Sequence, residues 1–307
     1  MKKSLLTGVI LLLGLAGLAQ EKMPFTYPYP VQKAKLPSGP EVAYVEVGQG
    51  PTTLVFIHGL GSYLAAWQPN LDSLQKDFRC LALDLPGYGQ SSKQDYPYSM
   101  AFFAQAVREL MEAKSISKAV LVGHSMGGQI ALTLALQAPE KVEKIILLAP
   151  AGLETFTEAQ AQLMQNFTSP EQIEGSSDAK IQENLEKNFF EMPEAAQFMI
   201  KDRQSQRYAA DFKAYTRAVS ASVKAMLEGP VFDKLGQIQA PTLLIFGQED
   251  ALIPNKFFNP QLSTEKVGRM GQEKIPNARL EMIPQAGHFV NFEKATAVNA
   301  LIRGFLR

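Results

Sequence analysis

Residues 121–130, LVGHSMGGQI, place one serine in a turn flanked by glycines, between an apolar run and a small-residue run. A serine hydroxyl is a weak nucleophile until a base takes its proton. The spacing G-x-S-x-G, after a buried strand and before a helix, lifts such a hydroxyl clear of the backbone on a sharp turn. Gly123 and Gly127 suit a turn too tight for side chains. Ser125 then stands at a helix N-terminus, where developing negative charge is favoured. It is the candidate nucleophile.

Three histidines could serve as its base. His58 ends the apolar run TLVFIHG, and His124 adjoins the serine, where neighbours on a sharp turn point different ways. Both are assigned to hydrogen bonding within their loops. His288, in MIPQAGHFVNFE, lies between a short strand and the last helix. It alone satisfies the chain order Ser, acid, His that the elbow requires. The acid should lie between them, just past a strand end. IFGQEDALIP offers Glu249 and Asp250 there. The local pattern G-x-x-D-x-x-x-P favours Asp250, with Glu249 in reserve; its task would be to hold His288 in one tautomer and stabilise the imidazolium. Asp84 precedes the serine, against that order, and is assigned to its own turn. For an oxyanion hole, one N–H should come from Met126, the residue after the nucleophile. The other should come from the HGLGS loop, with Leu60 preferred over Gly61.

These residues need a frame. EVAYVEVG (41–48) alternates as a half-buried strand does. Short apolar runs of the fully buried kind follow at 53–59, 80–85, 118–123, 144–150 and 241–247. Helical patterns separate them at 65–78, 99–113 and 126–140. Alternation of this sort implies an α/β fold with a mostly parallel central sheet and helices on both faces. From Gly152 to Gly229 only helical segments occur, which reads as an inserted cap over the carboxyl edge of the sheet. Met164, Met192, Met199 and Met226, with Phe156, Phe167, Phe189 and Phe190, are expected mostly to pack that cap internally. Gly152 and Gly229 near its borders would permit hinging. Trp67 is read as the core anchor of its helix. The chain thus divides into a signal peptide (1–19), the first part of the core (20–151), the helical cap (152–229) and the second part of the core (230–307).

HGLGSYLAAW, LDLPGYGQSS, GHSMGG, GQEDALIP and QAGHF, in that order, resemble the successive signatures of the α/β-hydrolase fold family, over roughly residues 40 to 307. The resemblance implies a Ser125–Asp250–His288 hydrolase with a helical cap between the sixth and seventh strands. It also implies no aspartate-nucleophile chemistry, since serine holds the nucleophile position. The stretch 255–276 departs from the pattern, being longer and more polar than a helix expected there.

Composition bounds the rest. The chain of 307 residues carries 30 basic and 30 acidic residues, giving no reason to expect nucleic acid or an anionic membrane as main partner. No cluster of His and Cys suggests a metal, and no organic cofactor is implied. The expected partner is a small-molecule substrate. Lys2 and Lys3 precede an uncharged stretch from Leu5 to Ala19, ending in Gly17-Leu18-Ala19. Its 15 residues fall short of the ~20 of a membrane span, so a cleaved secretory signal is expected over a retained anchor. That places the protein outside the cytoplasm, secreted or periplasmic. Cleavage after Ala19 removes two basic residues and no acids, leaving a formal charge of −2. Cys80, the single cysteine, is read as a small buried hydrophobe, so the fold must rest on its core. The expected reaction is cleavage of a carboxylic ester of a small to medium, partly apolar substrate through an acyl-enzyme. An aminopeptidase, a carbon–carbon bond hydrolase, or a ligand-binding protein that keeps its triad with little turnover stay open. For the aminopeptidase, Glu154, Glu158 and Glu191 could hold an amine. Export predicts a mature chain beginning at Gln20; intact mass of protein recovered from outside the cytoplasm checks it, and a retained Met1 would refute it.

Overall fold

Strands covered on both faces need apolar side chains at every position, and those side chains alternate between two cores. The computed structural model, which describes residues 25–307, has this arrangement. The signal peptide read at 1–19 lies outside the described residues. Eight strands form one sheet: β1 (Gln32–Lys35), β2 (Glu41–Val47), β3 (Thr53–Ile57), β4 (Arg79–Leu83), β5 (Ala119–His124), β6 (Val142–Leu148), β7 (Thr242–Gly247) and β8 (Ala278–Ile283). Their spatial order is β1-β2-β4-β3-β5-β6-β7-β8. β1 and β2 run antiparallel to their neighbours, and from β4 to β8 every pairing is parallel.

One face carries Leu54, Phe56, Val120, Val122, Ile146, Leu148, Leu243 and Ile245. Against it pack Leu71 and Leu74 of α1 (Gln68–Leu74) and Val298 and Ile302 of α11 (Ala295–Leu306). The residues between them, such as Val55, Ile57, Leu121, Ile145, Leu147 and Leu244, face the other core. That core is closed by α2 (Met100–Ala113), α3 (Met126–Gln137) and α9 (Thr264–Lys274). Serines start two of these helices: Ser99 accepts the Phe102 N–H at 3.1 Å, and Ser263 accepts that of Lys266 at 3.1 Å. Cys80 is fully buried in the sheet, and burial pushes its thiol up to about 12.

Between β6 and β7 lie α4 (Glu158–Phe167), α5 (Pro170–Glu174), α6 (Asp178–Glu186), α7 (Phe198–Gln206) and α8 (Phe212–Glu228). α10 (Val290–Glu293) precedes α11. The apolar residues of this insertion do not mostly pack one another. Phe167 and Phe190 are exposed, whereas Phe189 and Met199 join Phe289, Phe292 and Ala66 in a small cluster with the core. The aromatic rings of Phe189 and Phe289 stack at 5.2 Å.

Several element ends differ from their sequence patterns for local reasons. The helix expected at 65–78 is a 3-10 turn, Leu64–Trp67, followed by α1, which stops at Leu74. The pattern at 126–140 breaks at Ala138, whose φ of −143 and ψ of 65 lie outside the helical region that a following proline disfavours. The stretch 255–276 divides into turns up to Ser263 and then α9. β1 had no clear signature; its sequence QKAK, with lysines at an edge, suits a strand that must resist further pairing. Trp67 is buried against Phe56, 5.2 Å between rings, although in the 3-10 turn and not in a helix.

Backbone packs closely at the β5–α3 turn. A Cβ on Gly127 would lie 2.1 Å from the Ile57 carbonyl oxygen, and one on Gly123 would lie 2.4 Å from that of Gly127. Both obstacles are backbone. Gly127→Ala should therefore cost at least 1–3 kcal/mol by overpacking, read as a lower urea midpoint; an unchanged midpoint would mean that the elbow has slack.

Candidate active site

Ser125 occupies φ 52, ψ −119, between β5 and α3, a conformation that side-chain-bearing residues rarely adopt. Such backbone costs roughly 1–3 kcal/mol and persists only where its surroundings over-determine it. Here the Ser125 N–H donates to the Leu148 carbonyl at 3.0 Å. The Ser125 carbonyl accepts from Gly128 at 2.9 Å and Ala151 at 3.0 Å. The backbone is thus fixed while the side chain is left to the site.

Asp250 follows β7 and is buried, whereas the reserve acid, Glu249, is exposed. Asp250 Oδ1 accepts the N–H groups of Leu252 at 2.8 Å and Ile253 at 2.9 Å. Its Oδ2 lies 2.8 Å from His288 Nδ1. A carboxylate can only accept, so Nδ1 carries the hydrogen and Nε2 keeps its lone pair. His288, after β8, is also buried.

His124 joins the serine's turn to the histidine's loop. Its Nε2 donates to the His288 carbonyl at 3.0 Å, and the two rings stand 4.8 Å apart. The sequence placed this bond within a loop, but it spans 164 residues. Burial, then the neighbouring His288, hold His124 well below the usual histidine range.

The HGLGS loop lies against the serine: a Cβ on Gly59 would stand 3.0 Å from Ser125 Cβ. The loop turns through Leu60 and Gly61, with Gly61 at φ +63 and the Ser62 N–H closing onto Gly59 O at 3.1 Å. That closing bond does not use the Leu60 N–H. Met126 opens α3, so its N–H has no acceptor within the helix. Ser125, Asp250, His288, Leu60 and Met126 all follow the carboxyl ends of parallel strands, the edge where α/β sheets bind ligands.

His58 and Asp84 support that edge from below. His58 Nδ1 donates to Gly59 O at 2.8 Å, and its Nε2 accepts the Leu85 N–H at 3.0 Å. Fully buried, it is pushed down to about 4. Asp84 does more than cap its own turn. Besides the Gln90 N–H at 2.8 Å it accepts the Leu64 N–H at 2.7 Å and the Tyr27 hydroxyl at 2.6 Å.

Two residues that the sequence left unassigned border the site. Arg203 of α7 lies beside Gly61, its guanidinium nitrogens 3.2 and 3.3 Å from where a Cβ would be, and over the Tyr215 ring at 5.3 Å. Glu293 of α10 accepts the Gly287 N–H of the histidine's loop at 2.8 Å. Glu154, considered for amine binding, is already engaged by the Asn255 N–H and the Asn259 amide, both at 3.0 Å. Glu158 and Glu191 are exposed. Among the described residues no group of three or more His, Cys, Asp or Glu is placed to hold a metal ion, and no helix is long and apolar enough to cross a membrane.

A family model described as alpha/beta hydrolase fold matches residues 52–295. The chain is 29% identical over 266 residues to a dihydrolipoyllysine-residue acetyltransferase component of an acetoin cleaving system from Pseudomonas putida, covering 85% of this chain and 65% of that protein. It therefore spans just under two thirds of that relative's length. To a 2-hydroxy-6-oxo-6-phenylhexa-2,4-dienoate hydrolase from Comamonas testosteroni it is 28% identical over 282 residues, 87% of this chain and 91% of the other. The crystal structure of a probable hydrolytic enzyme from Pseudomonas aeruginosa superposes with a TM-score of 0.83 at 23% identity, covering 92% and 96% of the two chains. That last likeness speaks to the fold.

The buried His58 carries a pH prediction. In the unfolded chain it titrates near the usual 6.5, and in the folded protein near 4. Between those values the unfolded state binds the extra proton, so stability is complete above pH 6.5 and falls as pH drops toward 4. His124 pushes the same way. Thermal midpoints should decline from pH 7 to pH 5, and less steeply in His58→Gln; equal slopes would refute the assignment.

Proposed function

We propose an activity for a chain that belongs to the alpha/beta hydrolase fold family and is a hydrolase: cleavage of a carboxylic ester through an acyl-enzyme on Ser125. The observation that carries this reading is the buried Asp250–His288 hydrogen bond of 2.8 Å, which leaves His288 Nε2 free to accept a proton at the serine's edge of the sheet. His288 takes the proton from Ser125 as Oγ attacks the ester carbonyl. The tetrahedral oxyanion is held by the Leu60 and Met126 N–H groups. Collapse returns the proton to the departing alcohol and leaves the serine acylated. Water then gives its proton to His288, attacks the acyl carbon and releases the acid and the free serine. The helices α4 to α8 serve as a cap over this edge, and their apolar residues favour a partly hydrophobic acyl group. Export, directed by the signal at 1–19, puts the substrate outside the cytoplasm.

A carbon–carbon bond hydrolase is the second reading. The Comamonas relative, matched over nearly its whole length, is named for the hydrolysis of a dienoate. Arg203 beside Gly61 is a cation suited to a substrate carboxylate, and no carboxylate among the described residues is bonded to it.

Intact mass after incubation with a small fluorophosphonate should show one adduct, absent in Ser125→Ala and much slower to form in His288→Ala. Asp250→Asn should retain the fold and lose roughly 10⁴-fold in kcat. A panel of acyl esters beside a vinylogous diketo acid separates the two reactions. Turnover of esters supports the first, turnover of the diketo acid alone the second, and no adduct on folded wild type would overturn both in favour of a binding protein.

A further inference from the structure

His288 must present Nε2 within a fraction of an ångström of its place, yet it sits on the loop between β8 and α10. Its backbone is held at three points. Its own carbonyl accepts from His124 Nε2 at 3.0 Å. On its C-terminal side the Phe289 N–H donates to the carbonyl of Asn188, in the insertion, at 2.8 Å. On its N-terminal side the Gly287 N–H donates to Glu293 Oε2 at 2.8 Å.

The same carboxylate also holds the insertion. Glu293 Oε2 accepts the Phe190 N–H at 3.2 Å, and Oε1 accepts the Glu191 N–H at 2.8 Å. No cation among the described residues is paired with Glu293; its partners are three backbone N–H groups from two segments about 100 residues apart in sequence. Only an ionised carboxylate offers two oxygens that both accept and nothing that donates. Contact here is tight: a Cβ on Gly287 would meet Phe189 C and Phe190 N at 2.6 Å and Asn188 O at 2.7 Å. The stacked Phe189 and Phe289 rings close the far side.

We infer that Glu293 is a positioning residue for His288 and that, through it, the 188–191 turn of the insertion forms part of the histidine's seat. The inference rests on the serine-hydrolase reading above and adds a residue to it. Glu293 touches no reacting atom; it acts by fixing the Gly287 and Phe190 amides together. Displacing a catalytic group by about 1 Å can cost on the order of 10²-fold in rate.

The test compares wild type with Glu293→Gln, Glu293→Asp and Gly287→Ala. Glu293→Gln replaces one acceptor oxygen by a donor facing N–H groups. In it, kcat for the best ester should fall roughly 10- to 100-fold, with KM within about threefold. Fluorophosphonate labelling of Ser125 should slow in proportion, and amide exchange should rise at Gly287, Phe190 and Glu191 while β5 and β6 stay protected. Glu293→Asp, which keeps the charge, should recover part of the rate. Gly287→Ala pries the same contact apart with Glu293 intact and should give the same split of kcat from KM, so the inference does not hang on one variant. A folded Glu293→Gln or Gly287→Ala with wild-type kcat and labelling overturns it. If wild type is labelled at Ser125 and the variants match it, the positioning role alone fails. If wild type is not labelled, the hydrolase reading fails, and amide exchange decides the seat: unchanged protection at Gly287 and Phe190 in Glu293→Gln overturns it.

Discussion

The constraint on which the rest of this molecule depends is the backbone of Ser125. A residue with a side chain is held at φ 52 in the turn between β5 and α3, and the neighbouring architecture can be read as what makes that tolerable. The parallel pairing of β5 with β6 delivers the Leu148 carbonyl to the Ser125 N–H. Helix α3 starts at once, so its first turn returns the Gly128 N–H to the Ser125 carbonyl. Both arrangements require backbone approaches that only glycines at 123 and 127 allow. The two cores on either side of the sheet hold strand and helix against that local cost.

The insertion is bound to the rest of the chain more firmly than its place as an excursion between β6 and β7 suggests. Tyr63, on the loop beside the serine, donates to Asp202 of α7 at 2.5 Å. Tyr88 donates to Ser222 of α8 at 2.8 Å, with both groups buried. The Gln129 amide bonds the carbonyls of Met226 and Gly229 at 2.9 and 3.0 Å. Gly152 and Gly229, read in the sequence as hinge points, both pack around that glutamine. These ties cross from the core helices and the serine's edge, so the insertion and the sheet share their polar interior.

What the sequence disclosed follows from where chemistry restricts residue type. Ser125 was legible because its turn demands glycines at fixed spacing, and His288 because three histidines and one chain order leave a single choice. Asp250 over Glu249 rested on a local pattern, and burial supplies the reason: one carboxyl is enclosed with two backbone donors, the other faces solvent. The strands were visible as unbroken apolar runs because both faces are covered. Glu293 and Arg203 carried no such mark. Glu293 joins Phe190 and Glu191, and Arg203 meets Gly61, across more than 100 residues, and nothing in the residues around them encodes that proximity. Helix ends were misplaced where a proline or a 3-10 turn intervened, and Phe167 and Phe190 were misjudged because apolar type alone does not say whether a helix end or a bend faces the core or solvent.

Cys80 is the only thiol in the chain and lies between β2 and β3, paired with Val47 on one side and Leu54 on the other. Its side chain lies in the core beneath α1 and α11, so that cover must lift before solvent reaches it, and burial also keeps the sulfur protonated. A thiol-specific reagent therefore has a single target, which becomes available only when the core beneath α1 and α11 opens. The protein carries a built-in clock for its own unfolding: the rate at which one alkyl group is taken up counts the openings of that core, with no engineered label required.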